Sequence, residues 1–232
     1  MQKDFTKLEK ILGVKFKEKD LLHQAFVHRS YLNENPKFKL GHNERLEFLG
    51  DAVLELAVTE YLFKKFPNED EGRLTNLRAS MVNTNMLAIL SDELGLNNFL
   101  LLSKGESKDE NKKARESILA NVFEATLGAV YLDQGFKVAQ KFLNKIFDKK
   151  IPYIVKEELY LDPKSRFQEI SQEKCAVTPH YNVLKEEGPD HDKIFTIGVY
   201  IGEDLIAKAK GSSKQIAQVE AAKKGLKKKR WS

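Results

Sequence analysis

Carboxylates recur at helical spacing in the stretch NERLEFLGDAVLELA, residues 43–57. At 100° per residue Glu44, Glu47, Asp51 and Glu55 fall in one stripe, and Leu46, Leu49, Val53, Leu56 and Ala57 fall opposite, as a core face would. A solvated helix face normally interleaves acids with Lys or Arg, because like charges four residues apart repel. A stripe of acids alone predicts a cationic group lying against it. A second stretch, 115–132, is apolar nearly all round, which predicts burial between other helices. Within it Ser117, Asn121, Glu124 and Gly128 share one stripe, and the small residues would let another helix backbone come close. If that helix is the acidic one, Glu47, Asp51, Asn121 and Glu124 converge. Four oxygen donors from two helices suit a hard divalent cation, above all Mg²⁺, which keeps several of its waters. Each stripe by itself also fits a solvated face. A buried carboxylate without compensation is costly, so the two stripes together speak for a metal more than either does alone, while the solvated face stays open.

The elements that must hold these residues fall into two parts. Residues 1 to about 155 carry 3.6-residue periodicity throughout, in FTKLEKIL, DLLHQAFVHRSYL, the acidic stretch through LAVTEYLFKKF, LTNLRASMVNTNMLAILSDEL, ARESILANVFEATLGAVYLD and FKVAQKFLNKIFDKKI. Asn35-Pro36, Phe66-Pro67-Asn68, Gly95 and Gly135 punctuate them. The polar run SKGESKDENKK (103–113) reads as an exposed loop. After Asp162-Pro163 the pattern changes. KSRFQEISQEK reads as a short helix, PHYNVLKEE, KIFTIGVYIG and DLIAKAKG alternate as strands, and SSKQIAQVEAAKKGLKKK closes as a helix capped by Ser212 or Ser213. The fold class expected is an all-α N-terminal domain, residues 1–156, followed by a small α+β domain of order α-β-β-β-α, residues 160–230.

Composition narrows the classes. The 232 residues are 41% hydrophobic and 31% charged, as in a soluble globular protein. No apolar run approaches 18 residues, so no membrane span or membrane partner is expected. The opening MQKDFTKLEKILG lacks the apolar core of a secretory signal. Cys175 is the single cysteine, which excludes an intrachain disulfide and makes a reducing cytoplasmic location the default. The net charge of +5 favours a polyanionic partner, with six basic residues between Lys223 and Arg230, although such a run also fits a solvated helix end.

At this point a resemblance enters. HNERLEFLGDAVL resembles the signature helix of the ribonuclease III family, and EGRLTNLRASMVN and ILANVFEATLGAVYLDQG resemble the next two blocks of the same catalytic domain. KSRFQEISQEK through KQIAQVEAAKKGL resembles a double-stranded RNA-binding domain. The likeness covers nearly the whole chain, in the bacterial arrangement of one nuclease and one binding domain.

The resemblance implies a double-strand-specific endoribonuclease that processes ribosomal and other structured RNA and leaves 5′-phosphate and 3′-hydroxyl ends with short 3′ overhangs. It implies that Glu47, Asp51, Asn121 and Glu124 hold the metal, with Asp51 and Glu124 catalytic, and that Mn²⁺ can replace Mg²⁺. Glu44 and Glu71 match further acids near the cleavage groove, and both fit solvated helix acids equally well. Phe48 matches an aromatic that packs into the other subunit of a homodimer. Gln168 and Glu169 match minor-groove contacts, His191 a contact from the turn GPDHDK, and Ser212, Ser213 and Lys214 a phosphate site at a helix start. Two departures stand out. Asn121 occupies a position where the family usually has Asp, so the site loses one negative charge. Lys214 is followed by Gln215 where many members carry further lysines, and Lys210 and Lys223 are candidates to replace them. The alternative reading is a duplex-RNA-binding protein with impaired cleavage because of Asn121.

Overall fold

A computed structural model of the chain describes residues 4–189 and 193–231. Backbone contacts divide the chain into two compact units, Met1–Tyr160 and Leu161–Ser232.

The first unit is helical: α1 (Phe5–Leu12), α2 (Lys19–Ala25), α3 (Arg29–Glu34), α4 (Glu44–Lys65), α5 (Glu71–Val82), α6 (Thr84–Glu93), a 3₁₀ turn (Leu96–Phe99), α7 (Lys104–Lys108), α8 (Lys112–Gln134) and α9 (Phe136–Lys156). Short polar side chains define most of the starts. Asp4, Asp70, Asn83, Ser103 and Asn111 each accept a hydrogen bond from a backbone N–H one turn into α1, α5, α6, α7 and α8 respectively. Gly13 and Gly95 take the left-handed conformation that ends or redirects a helix. Helix α8 is the hub. Its residues Ile118–Ala120, Val122, Phe123 and Ala125–Val130 are all buried, as its all-round apolar character predicts.

The structure departs from the sequence pattern at four places. DLLHQAFVHRSYL is two helices, because Val27 leaves the helical path to pair in parallel with Leu101, and the His28 N–H donates to the Leu101 carbonyl at 3.0 Å. LTNLRASMVNTNMLAILSDEL is likewise broken where Asn83 turns extended and caps α6, its Oδ1 accepting from Met86 N at 2.9 Å. The 103–113 run is not wholly loop: it holds α7 and the start of α8. Leu56, placed on the core face by its angle, is 58% exposed.

The second unit is a three-stranded antiparallel sheet in the order β1 (His180–Glu187), β2 (Ile194–Ile201), β3 (Asp204–Gly211), with α10 (Pro163–Cys175) and α11 (Lys214–Lys229) packed with it. Its core joins Phe167 of α10, Val199, Ile206 and Ala209 of the sheet, and Ala221, Ala222 and Leu226 of α11. Gly225 lets α11 close on α10, since a Cβ there would sit 2.7 Å from the Phe167 ring. Asp162, with Pro163 behind it, caps α10, and Ser213 caps α11 by accepting from Ile216 N at 3.2 Å. The α-β-β-β-α order expected from the sequence is the order observed.

Candidate active site and RNA-binding surface

Helices α4 and α8 cross at two glycines. A Cβ on Gly50 would overlap the Glu124 carbonyl oxygen, and a Cβ on Gly128 would overlap the Leu46 carbonyl oxygen and lie 3.1 Å from Gly50 N. Leu46 meets Gly128 and Gly50 meets Glu124, so the helices run antiparallel through the crossing. Each glycine costs its helix about 1 kcal/mol of intrinsic propensity relative to Ala. What that permits is backbone contact, and backbone contact brings the acids flanking Gly50 towards Glu124 and Asn121, one and two turns before Gly128.

The entry to α4 is fixed separately. Asn43 is buried, its Nδ2 donates to the Ala25 carbonyl at 3.1 Å, and its backbone N–H donates to the Val27 carbonyl at 2.9 Å. His28 Nδ1 lies 2.8 Å from Ser30 Oγ, which accepts from Ser103 N at 3.1 Å. The strand-like contact at Val27 and Leu101 therefore anchors the acidic helix by its first turn.

Glu47, Asp51 and Glu124 come within electrostatic reach of one another. Burial, then the Asp51 and Glu47 charges, push the Glu124 carboxyl up to about 7. Burial, then Glu44 and Asp51, raise Glu47 as well. The cationic group expected against the acid stripe is present only at its ends: Arg78 Nε pairs with Glu55 at 3.1 Å, and His42 Nδ1 lies 3.6 Å from Glu44. Among the described residues no Lys, Arg or His pairs with Glu47, Asp51 or Glu124. Asn121 lies on α8 one turn before Glu124, half-buried. The donor chemistry fits a hard divalent cation, since uncompensated carboxylates on apolar helices are what such an ion neutralises. Among the described residues, no three His, Cys, Asp or Glu side chains are already gathered at the spacing of a metal cage.

The remaining expected residues are scattered. Glu44 lies in the first turn of α4, and Glu71 opens α5 beside a 450 Å³ hollow shared with Phe63 and Arg78. Phe48 is 82% exposed, and Leu56 and Phe63 on the same helix are 58% and 71% exposed. Gln168 and Glu169 are exposed on α10, and Ser212 is exposed just before α11. Lys214 is engaged, its Nζ 3.1 Å from Glu186 and 5.5 Å from the centre of the Phe195 ring. Lys210 lies 3.7 Å from Glu187, and Lys223 lies 2.8 Å from Glu220. His191 lies outside the described residues. The acid pattern alone gives no sign of Gly50; the available signal is an unfavourable glycine in the middle of a strongly helical stretch, matched by a second one at Gly128.

Comparison with known proteins identifies the class. A model described as Ribonuclease-III-like matches residues 18–150, and the double-stranded RNA binding motif matches residues 163–229. Ribonuclease 3 of Enterococcus faecalis is 44% identical over 222 residues, 96% of each chain. That of Carboxydothermus hydrogenoformans is 45% identical over 225 residues, 97% of this chain and 95% of its own. A solved nuclease domain of ribonuclease III from Campylobacter jejuni, described for structural flexibility in a region involved in dimer formation, is 42% identical with a TM-score of 0.56. It covers 64% of this chain and 99% of its own length. These matches define an endoribonuclease domain followed by a duplex-RNA-binding domain. The chain belongs to the ribonuclease III family.

Proposed function

We propose that the protein cuts double-stranded RNA by metal-assisted hydrolysis of phosphodiesters, leaving 5′-phosphate and 3′-hydroxyl ends with short 3′ overhangs. The observation that carries this reading is the glycine crossing, which brings Glu47, Asp51 and Glu124 within electrostatic reach of one another with no basic side chain among the described residues paired to them. Glu47, Asp51, Asn121 and Glu124 would hold the ion, Mg²⁺ by preference with Mn²⁺ as a substitute. Such an ion, when bound, supplies Lewis-acid polarisation of a phosphoryl oxygen and lowers the pKa of a water. The chain's own part is to fix oxygen donors on two rigid helices, to exclude any competing lysine or arginine, and to present Asp51 and Glu124 to the scissile group. Glu44 and Glu71, both in first turns, are assigned to the rim of the groove.

The exposure of Phe48, at 82%, supports a homodimer. An exposed aromatic side chain is what a partner copy would cover, and two copies would offer one site to each strand of a duplex. The second unit would hold the duplex through Gln168, Glu169, His191 and the start of α11 at Ser212, Ser213 and Lys214. Precursors of ribosomal RNA and other structured transcripts are the expected substrates. The cytoplasm is the expected location, given an RNA substrate and a single free, exposed cysteine, Cys175. No helix among the described residues is long and apolar enough to cross a membrane.

Asn121 supports a second reading, a duplex binder that cuts poorly, because an amide stands where the resemblance expects a carboxylate. Incubating end-labelled duplex RNA with Mg²⁺ or Mn²⁺ decides between them, with Glu124→Gln controlling for contaminating nuclease. Products with short 3′ overhangs that disappear in Glu124→Gln support the enzyme. Retention of intact duplex under every metal condition supports the binder.

A further inference from the structure

Positive charge in the RNA-binding domain collects at a place where the family resemblance offers only Lys210, as a candidate to replace lysines missing from the start of α11. Lys214, the single lysine at the start of α11, is paired with Glu186. Lys208, Lys224 and Lys228 have no acidic partner among the described residues, and they converge on the β3 edge. Lys208 and Lys224 line a 660 Å³ cleft with Lys185 and Lys210, and the same two line a neighbouring 340 Å³ hollow with Lys228. The larger cleft holds four lysines against one carboxylate, Glu187, which lies 2.7 Å from Lys185 and 3.7 Å from Lys210. The pairing register explains the convergence: Lys185 of β1, Thr196 of β2 and Lys210 of β3 are consecutive cross-strand neighbours and share one face of the sheet. Thr196 lines the cleft, and its Oγ1 is buried without a hydrogen-bond partner.

Lysines on an edge strand commonly serve to block strand-to-strand association. That accounts for Lys208 and Lys210. It does not account for Lys224 and Lys228, which reach the same place from α11. Ala209 is the only apolar residue lining the larger cleft, so an acidic peptide would find no apolar anchor there. Phosphates need none, since they are held by ammonium groups and hydroxyl donors.

We infer that the cleft at the β3 edge is a second phosphate-binding surface, taking backbone phosphates of an RNA segment other than the one held at the start of α11. The inference rests on the RNA reading of this domain.

Lysine acetylation footprinting of the full chain tests it, without divalent metal, on a duplex longer than the roughly 16 base pairs one such domain spans. Lys208 and Lys224 are expected to lose reactivity several-fold when RNA is added. In the double variant K208Q/K224Q, both exposed positions, the slope of log affinity against log salt is expected to become shallower by about 1.8, the counterion release of two phosphate contacts on a duplex. Unchanged reactivity at Lys208 and Lys224 while other lysines of the domain are protected, or an unchanged salt slope, overturns the second surface and leaves the RNA reading intact. RNA that protects no lysine of the domain overturns both.

Discussion

Gly50 of α4 and Gly128 of α8 stand backbone to backbone, each without room for a Cβ because a carbonyl oxygen of the opposite helix occupies the place. This contact sets the separation of the acids on the two helices. Gly50→Ala is therefore expected to act against its own helix propensity. The alanine would gain up to about 1 kcal/mol locally, but forcing apart two packed backbones costs on the order of 1–3 kcal/mol. A carbonyl cannot rotate aside as a side-chain tip can, so the net effect is destabilising. Calorimetry should show a lower Tm, and cleavage should fall by more than the unfolded fraction explains. An alanine variant with normal stability and normal cleavage would show that the close approach is not needed.

Asn121→Asp restores a fourth carboxylate to the proposed site. The Mg²⁺ concentration for half-maximal cleavage is expected to drop, by at least the roughly tenfold that altering even an outer-shell partner of a metal ligand commonly produces. An unchanged requirement would remove Asn121 from the ligand set.

The raised Glu124 carboxyl has a consequence for stability without metal. An acid whose folded pKa lies above its unfolded value contributes stability below the unfolded pKa, here 4.5, and that contribution is lost as pH rises through the folded value, about 7. In chelator, Glu124→Gln should therefore melt higher than the unsubstituted protein at pH 8, and the gap should close towards pH 4.5. Adding Mn²⁺ should raise the Tm of the unsubstituted protein more than that of Glu124→Gln. A gap that is constant with pH would mean that Glu124 is not charge-stressed.

Phe48 is expected to be an anchor of the dimer. Phe48→Ala should weaken self-association by about 2 kcal/mol, or about thirtyfold in Kd, as for a central aromatic in an interface. Sedimentation equilibrium reads this directly. A dimer of unaltered Kd would place the subunit contact away from Phe48.

Much of this site was legible from residue spacing. The two stripes, one of acids on α4 and one pairing Asn121 with Glu124 on α8, follow from 3.6-residue periodicity, and so does the buried character of α8. The α-β-β-β-α order follows from the switch of period after Pro163. Local pattern could not reveal what long-range contact decides. Val27 leaves its helix because Leu101, more than seventy residues on, offers a backbone partner. Leu56 sits at a core angle yet is exposed, because helical periodicity fixes its angle on α4 and not which neighbouring element packs there. Gly50 escapes periodic analysis because it carries no side chain to count. The engagement of Lys214 by Glu186 is a contact between α11 and β1, which the spacing of lysines along α11 cannot foresee.

The central claim is that α4 and α8 together bind a divalent ion where duplex RNA is cut. Anomalous scattering from Mn²⁺ in crystals of the full chain with a bound duplex measures this most directly. A peak within coordination distance of Glu47, Asp51, Asn121 and Glu124, next to an RNA phosphate, is the predicted result. Manganese bound elsewhere, or no peak at this crossing while the duplex is well ordered, would contradict it.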